Sequence, residues 1–216
     1  MTPPVENIEA VIFDFGGVVC FHPPEQLFDP IAQILDADPV EFRKAFWEHR
    51  IPYDAGLESQ EYWATVADML GRPWDPVLLP KLIEHEVNLW NRFDGQVLEF
   101  AAHLQALGYG TAILSNLPRP LGEKLRATPG LLDPFDHLTF SYEWNMVKPA
   151  PAIYQHAVEG LGVAPHQALF LDDKPENVEG ARTAGLFAEL YEEWGLFEEK
   201  IAPLYGLPLP GVARRQ

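Results

Sequence analysis

Short apolar runs that stop at polar side chains are the feature that most constrains the fold of this sequence. A buried strand that ends in a polar residue places that residue at the edge of a sheet. In parallel α/β sheets, the ligand crevice lies at the carboxyl ends of the strands, so such residues are expected to meet there. The runs are Val11–Phe13 before Asp14, Ala112–Leu114 before Ser115 and Asn116, and Leu169–Leu171 before Asp172 and Asp173.

The order of apolar and helical segments predicts an α/β fold with a Rossmann-like parallel sheet core. Ala10–Phe15 has the composition of a fully buried strand. After Gly108, short apolar runs alternate with segments of helical periodicity, a pattern typical of βαβ units with helices on both faces of a sheet. Further strands are predicted at 111–114, 138–140, 168–171 and 187–191, and helices at 96–107, 152–161 and 176–184.

A block of helical periodicity separates the first strand from the others. Asp38-Pro39 and Asp75-Pro76 predict helix starts, because aspartate accepts from the free amides and proline at the first helical position gives up no hydrogen bond. Ser59 is expected to cap a further helix that runs to Leu70.

We interpret this block as an insertion over the ligand edge of the sheet. The predicted domains are a core of residues 1–21 and 93–216 and a small helical cap of residues 22–92. The tail from Pro203 to Gln216 is rich in proline and glycine and is expected to be irregular.

Net charge and cysteine content limit the classes of partner that this protein is expected to bind. The formal net charge of −17 disfavours nucleic acid and anionic lipid, whose phosphates would be repelled, but it does not exclude a small phosphorylated metabolite beside a bound cation. The single cysteine, Cys20, excludes an intrachain disulfide and is expected to be a packing residue. No secretion signal or apolar run of membrane-spanning length is present, so a cytoplasmic protein is expected, as a monomer or a homodimer.

The carboxylates at the strand ends have the chemistry of a phosphoryl-transfer site. Asp14 precedes Gly16 and Gly17, which leave room for a ligand, and a carboxylate can attack phosphorus to form an aspartyl-phosphate. Asp172 and Asp173 repel each other unless a cation lies between them, and oxygen ligands suit Mg²⁺. The alternative for this pair is a simple cap of the following helix.

Other polar residues could bind the transferred group. Lys148 could neutralise phosphoryl oxygens, and Ser115 with the backbone amides near Asn116 could cradle them, unless this is only a local turn. Arg119 could grip a phosphate or carboxylate with two hydrogen bonds. Specificity is expected to lie in the cap, where Trp47, His49, Arg50 and Tyr53 are close together in the sequence. Taken singly, Arg50 is expected on a solvated face and Trp47 in the core of the cap.

Taken together, these motifs resemble those of the haloacid dehalogenase-like (HAD) hydrolase superfamily, subfamily I, with its small helical cap. The matching runs are Phe13–Val18, Leu114–Asn116, Val147–Pro149 and Phe170–Asn177. The resemblance implies that Asp14 is the nucleophile and that Ser115 and Lys148 hold the phosphoryl group. It also implies that Asp14, the carbonyl of Gly16 and Asp173 bind Mg²⁺, with Asp172 a further ligand or a supporting group.

The sequence departs from the family pattern at Gly16. Phosphatases of the family usually carry a second aspartate there, which protonates the leaving group, and such general acid–base help contributes about 10²–10⁴-fold in rate. A substrate with a good leaving group, or a substitute such as His22 or Glu25, would compensate. The Asp-x-Gly-x-Val pattern at residues 14–18 is similar to that of the family's sugar-1-phosphate phosphatases.

The sequence therefore predicts a Mg²⁺-dependent phosphatase that acts on a small phosphorylated metabolite, with a sugar phosphate as one example. One alternative is a metal-free haloacid dehalogenase, which the adjacent carboxylates Asp172 and Asp173 disfavour. Another is a catalytically weak binding protein on the same scaffold, which the presence of all four motifs disfavours. The substrate itself does not follow from the sequence.

Overall fold

The centre of the molecule is a sheet of five parallel strands in the order β3-β2-β1-β4-β5. This computed structural model describes residues 8–211, so the expectations for the amino terminus and for the last residues of the tail lie outside the described part. The predicted α/β fold with a Rossmann-like sheet is confirmed. The strands are β1 (Ala10–Phe13), β2 (Gly110–Ser115), β3 (His137–Phe140), β4 (Ala168–Asp172) and β5 (Phe187–Leu190).

The first strand is central and ends two residues earlier than predicted. All four residues of β1 are buried, because β2 and β4 flank it and helices cover both faces of the sheet. The amide of Asp14 still donates to the carbonyl of Leu171, at 2.8 Å. The amide of Phe15 instead donates to Oδ1 of Asp14, at 2.7 Å, so the chain leaves the sheet there.

Six α-helices lie between β1 and β2, and the first five of them form the helical block. These five pack around a cluster of buried aromatic side chains that includes Phe42, Phe46 and Trp63. The five helices are α1 (Asp29–Ile34), α2 (Pro39–Glu48), α3 (Arg50–Asp54), α4 (Ser59–Met69) and α5 (Leu79–Asn88).

Two of the expected helix caps form and one does not. The carboxylate of Asp38 accepts hydrogen bonds from the amides of Val40 and Glu41, and Asp75 caps a short 3₁₀ turn. Ser59 was the wrong choice of cap: it is the first helical residue of α4, and its hydroxyl lies 3.0 Å from that of Tyr53 instead. A tertiary hydrogen bond thus replaces the local one.

The remaining helices cover both faces of the sheet. The side chains of β1 alternate between the faces, so Val11 and Phe13 pack with α6 and the C-terminal segment, while Ala10 and Ile12 pack with α9 and α10. These helices are α6 (Gly95–Ala106), α7 (Arg119–Arg126), α8 (Ser141–Trp144), α9 (Pro151–Leu161), α10 (Pro175–Thr183), α11 (Trp194–Leu196) and α12 (Ala202–Leu204).

The C-terminal segment is more regular than expected. Part of the tail predicted to be irregular forms α12, and Tyr205 and Leu207 beyond it are buried against the core. The packing of apolar side chains onto the sheet offsets the low helical propensity of a proline-rich stretch. None of the helices within residues 8–211 has the length and apolar character needed to cross a membrane.

The two connections between the helical block and the sheet run side by side. Cys20 forms an antiparallel bridge with Phe93, and the amide of Phe21 donates to the carbonyl of Arg92 at 2.9 Å. Cys20 has no exposed surface, as a packing residue requires. The segment between these connections therefore begins and ends at neighbouring points.

Candidate active site

Asp14 lies at the carboxyl end of the central strand, where it is almost completely buried. Its Oδ1 accepts a hydrogen bond from the amide of Phe15 and lies 2.8 Å from Nζ of Lys148. Asp14 is 6% exposed and lines a cavity of about 230 Å³. The carboxylate predicted to be the nucleophile is thus held in place at the wall of this cavity.

The glycine pair after Asp14 allows a tight turn against the second acidic motif. Gly17 has φ 84°, and a Cβ atom there would overlap the carboxyl group of Asp173. A Cβ atom on Gly16 would lie 3.0 Å from Cζ3 of Trp90, which is a tight contact. Glycine is required at residue 17 both for the backbone conformation and for the close approach of Asp173.

Lys148 reaches the strand ends from the loop before α9. Its buried ammonium donates to Oδ2 of Asp172 at 2.6 Å and to the carbonyl of Leu114 at 3.1 Å, in addition to its contact with Asp14. Three acceptors match the three protons of an ammonium group, so the side chain is fixed. The positive charge lies directly between two buried carboxylates.

Asp172 is fully engaged by the protein. Its Oδ1 accepts from the amide of Lys174 at 2.8 Å and from Nδ2 of Asn177 at 3.0 Å. Its Oδ2 accepts from Lys148 and, at 3.1 Å, from the same amide group of Asn177. These bonds orient Asp172 toward Lys148, so its observed contacts are those of a supporting group.

Asn116 uses its side chain to hold the backbone of Lys148. Its Nδ2 donates to the carbonyl of Lys148 at 3.0 Å, and its Oδ1 accepts from the Lys148 amide at 2.8 Å. Ser115 is buried beside Asp14 and lines the same cavity. The second and third motifs are therefore joined into one unit by two hydrogen bonds.

Asp173 completes an acidic cluster. One carboxylate oxygen each from Asp14, Asp172 and Asp173 lie within 4.8 Å of one another. Oδ2 of Asp173 lies 2.8 Å from Nε2 of His22, while Oδ1 is buried and has no hydrogen-bond partner within residues 8–211. An orphaned buried carboxylate oxygen is costly, so this atom fits a cation ligand.

Burial and mutual charge control ionisation in this cluster. Burial raises the pKa of Asp14 to about 6, and the ammonium of Lys148 opposes that shift. Burial by itself would lower the pKa of Lys148, but the carboxylates of Asp14 and Asp172 raise the pKa above its ordinary value. The lysine is therefore held in its charged form.

Five of the eight residues predicted for the site line the cavity: Asp14, Gly16, Ser115, Asn116 and Lys148. Asp172, at the end of β4, contacts Lys148, and Asp173 follows it in the acidic cluster with Asp14. Arg119 is exposed and does not line the cavity; its guanidinium lies over the ring of Tyr142, 5.3 Å from the centroid. Of the two candidate proton donors, His22 lines the cavity, whereas Glu25 pairs with Arg43 outside it.

The helical block contributes cavity residues whose positions the sequence did not reveal. The expectation that Arg50 is solvated is wrong: it is 6% exposed, lines the cavity and pairs with Asp54 and Glu86. The expectation that Trp47 lies in the cap core is also wrong, since it is 46% exposed and lines the cavity. Helical spacing places Arg50 and Asp54 on one face, but nothing local shows that this face turns inward.

Other cavity residues were missed because their roles depend on distant contacts. Trp90 covers Gly16, and Lys174 and Asn177 line the cavity from the start of α10. Asn177 stands in the fourth motif, and its amide beside an acidic pair was the one available signal. No signal in the sequence distinguishes Trp90 from the other buried aromatic residues.

The chain belongs to the haloacid dehalogenase-like hydrolase family, which it matches over residues 8–185. The family predicted from the motifs is thereby confirmed, and the protein is a hydrolase of this family. Among solved structures, the HAD family enzyme BT-2542 from Bacteroides thetaiotaomicron superposes with a TM-score of 0.73 at 20% identity, covering 93% of this chain and 99% of that one. That enzyme is also known in complex with magnesium and inorganic phosphate.

Two further relatives have different named activities. The sesquiterpene phosphatase astK of Aspergillus oryzae is 24% identical over 83% of this chain and 88% of its own length. The L-2-haloacid dehalogenase of Xanthobacter autotrophicus has a TM-score of 0.66 at 22% identity, over 92% of this chain and 86% of that one. Several other curated relatives are matched over about half of their length or less.

Proposed function

We propose that this protein is a Mg²⁺-dependent phosphatase that hydrolyses a small phosphorylated metabolite through an aspartyl-phosphate on Asp14. The observation that carries the proposal is the contact between Asp14 and Lys148 at the wall of the cavity, beside the orphaned Oδ1 of Asp173. The phosphatase names among the relatives and the magnesium and phosphate complexes of BT-2542 support it.

The residues present fit a magnesium ion. Asp14, Asp173 and the carbonyl of Gly16 would hold the ion, since Mg²⁺ prefers few carboxylates and completes its shell with water and substrate oxygens. When bound, the ion would polarise the phosphoryl oxygens and balance their negative charge. Asp172 would act through Lys148, which it orients, because all of its observed hydrogen bonds go to Lys148, Lys174 and Asn177.

The reaction then proceeds in two displacements at phosphorus, with Asp14 as the group that is phosphorylated in between. A carboxylate oxygen of Asp14 attacks phosphorus, an oxygen–phosphorus bond forms, and the bond to the leaving oxygen breaks. A water molecule then attacks the phosphorus, releases inorganic phosphate and restores the Asp14 carboxylate. Lys148 and Ser115 contact the phosphoryl oxygens in both steps and stabilise their charge.

No carboxylic acid at residue 16 can protonate the leaving oxygen, because this residue is glycine. Glycine cannot supply a proton, and His22 is engaged by Asp173. We therefore expect the rate to depend steeply on the basicity of the leaving group, with weakly basic leaving groups such as those of anomeric phosphates hydrolysed fastest.

The test is phosphate release from a panel of phosphomonoesters, sugar-1-phosphates included, with Mg²⁺ and with chelator. We expect metal-dependent release that Asp14→Asn lowers by at least about 10³-fold. Asp68→Asn, which removes an exposed carboxylate from α4, is the matched control and should leave release unchanged.

Three results would contradict the proposal. Full activity of Asp14→Asn would exclude the aspartyl-phosphate. Halide release from haloacids in chelator would instead identify a dehalogenase, the activity named for the Xanthobacter structure. Tight binding of a phosphorylated metabolite without turnover of any ester would identify a binding protein.

A further inference from the structure

The cavity has two chemically different ends. Asp14, Ser115 and Lys148 form a polar end at the sheet, where the proposed reaction takes place. The rest of the lining combines charged side chains such as Arg50 and Asp54 with apolar side chains from both domains. These apolar residues are Trp47, Ile51, Trp90, Leu117 and Leu121.

Arg50, which lines the cavity from the cap, is already paired with two carboxylates of the protein. Its Nε donates to Oδ1 of Asp54 at 2.8 Å and its NH1 to Oε1 of Glu86 at 2.6 Å. Glu86 is completely buried, and its other oxygen accepts from the hydroxyl of Tyr53 at 3.1 Å. One guanidinium against two carboxylates leaves this part of the cavity without net positive charge.

Asp54 has an acceptor that the protein does not use. The residue is 8% exposed and lines the cavity. Its Oδ1 is taken by Arg50, but no residue in the described range donates a hydrogen bond to its Oδ2. A carboxylate oxygen at the cavity wall that no protein group donates to can accept a hydrogen bond from a ligand.

We propose that Asp54 determines specificity by accepting a hydrogen bond from a hydroxyl or ammonium group on a compact, otherwise apolar leaving group. A leaving group with a second anion is rejected, because Asp54 would repel it and Arg50 is already neutralised. Lys174 and His22, which line the same cavity, are the groups that could bind such an anion instead. This inference rests on the phosphatase function proposed above.

The size of the cavity agrees with a compact substrate. Its volume of about 230 Å³ must hold the phosphoryl group as well as the leaving group. Pockets for drug-sized ligands occupy roughly 300–1,000 Å³, so a leaving group of only a few carbon atoms is expected.

The test measures binding with a series of alkylphosphonates, whose carbon–phosphorus bond this hydrolysis cannot break. The far end of each chain carries a methyl, hydroxyl, ammonium or carboxylate group, at several short chain lengths. Calorimetry with the wild-type protein and Mg²⁺ should show the hydroxyl and ammonium compounds binding about tenfold more tightly than the methyl compound at one chain length. The carboxylate compound should bind most weakly.

Variants separate Asp54 from its surroundings. Asp54→Asn should remove the preference for ammonium over methyl, and Asp68→Asn should leave that preference unchanged. If Asp54→Asn does not fold, the order of the four compounds in the wild-type protein still decides. Equal binding of all four, or preference for the carboxylate compound, would overturn the inference.

Failure of this inference can be told apart from failure of the phosphatase proposal. Binding of the phosphonates requires no turnover, so the order of affinities tests Asp54 even if no ester is hydrolysed. Conversely, metal-dependent phosphate release with indifferent binding of the four chain ends would leave the phosphatase intact and remove the role of Asp54.

Discussion

The indole of Trp90 packs directly against Gly16: a Cβ atom added to Gly16 would lie 3.0 Å from Cζ3 of Trp90. The indole is 8% exposed and also packs at a tilt against Phe15. The absence of an acid at residue 16 is therefore built into the packing. A side chain at this position requires the indole of Trp90 to shift.

We expect Gly16→Ala to lower the free energy of unfolding by about 1–3 kcal/mol, because the added methyl group forces the indole to move. Gly95→Ala is the control, since a Cβ there meets nothing within 4 Å, and its effect should stay within about 0.5 kcal/mol. Urea unfolding of both variants measures the difference.

A second substitution tests whether Trp90 is the cause. In the Trp90→Ala background, Gly16→Ala should cost at least about 1 kcal/mol less than it does alone, as expected for residues in contact. Additive effects of the two substitutions would show that the indole is not what excludes a side chain at residue 16.

Lys148→Met should destabilise the fold by about 3–5 kcal/mol, because it leaves the buried carboxylates of Asp14 and Asp172 without a cation. Adding Asp172→Asn should recover part of that loss, since it removes one of the uncompensated charges. Unfolding in urea without divalent cation measures both effects. If the double variant is less stable than Lys148→Met, the ion pair is not the source of the cost.

Two arginines of the helical block, Arg43 and Arg50, offer a matched comparison of exposed and buried ion pairs. Arg50→Leu should cost about 3–5 kcal/mol, because Asp54 and the completely buried Glu86 lose their partner. Arg43→Leu removes pairs with the more exposed Glu25 and Asp29 and should cost less than about 1 kcal/mol. Similar losses in thermal or urea unfolding would argue against a buried charge network.

A histidine far from the cavity should make stability depend on pH. Burial lowers the pKa of His137, and His156 and Arg126 lower it further, while Glu143 opposes them. Its Nε2 is buried and has no hydrogen-bond partner among the described residues. A folded-state pKa below the ordinary 6.5 means that the unfolded chain binds the proton more readily.

The stability contributed by neutral His137 is thus present above pH 6.5 and is lost as the pH falls below it. His137→Gln should show a smaller decline between pH 7 and pH 5 than the wild-type protein. Proton NMR of the imidazole gives the pKa directly. A pKa at or above the ordinary value would remove the basis of this prediction.

The sequence predicted what depends on short segments. Asp14, Ser115 and Asp172 could be placed because each ends an apolar run, and the parallel topology then brings them to one edge. The turn at Gly16 and Gly17 was readable for the same reason. The fold and the polar end of the cavity therefore followed from local pattern and elementary topology.

What the sequence did not show depends on contacts between distant residues. The local sequence around Arg50 is typical of a solvated helix. Its side chain is held inward by its ion pair with Glu86, thirty-six residues further along the chain. Arg119 followed the second motif as a plausible ligand, yet it turns away toward Tyr142. Ser59 had a choice between the helix amides and Tyr53, and the tertiary partner prevailed.

The paired connections at Cys20–Phe93 and Phe21–Arg92 have a consequence for how such a protein can diversify. Because the proposed cap starts and finishes at adjacent points, its removal or exchange would leave only a short gap, which is cheap to close. The sheet carries Asp14, the proposed nucleophile, and the proposed cap carries Arg50 and Asp54. Exchange of the proposed cap would therefore change which substrates are accepted while leaving the proposed reaction at the sheet unchanged.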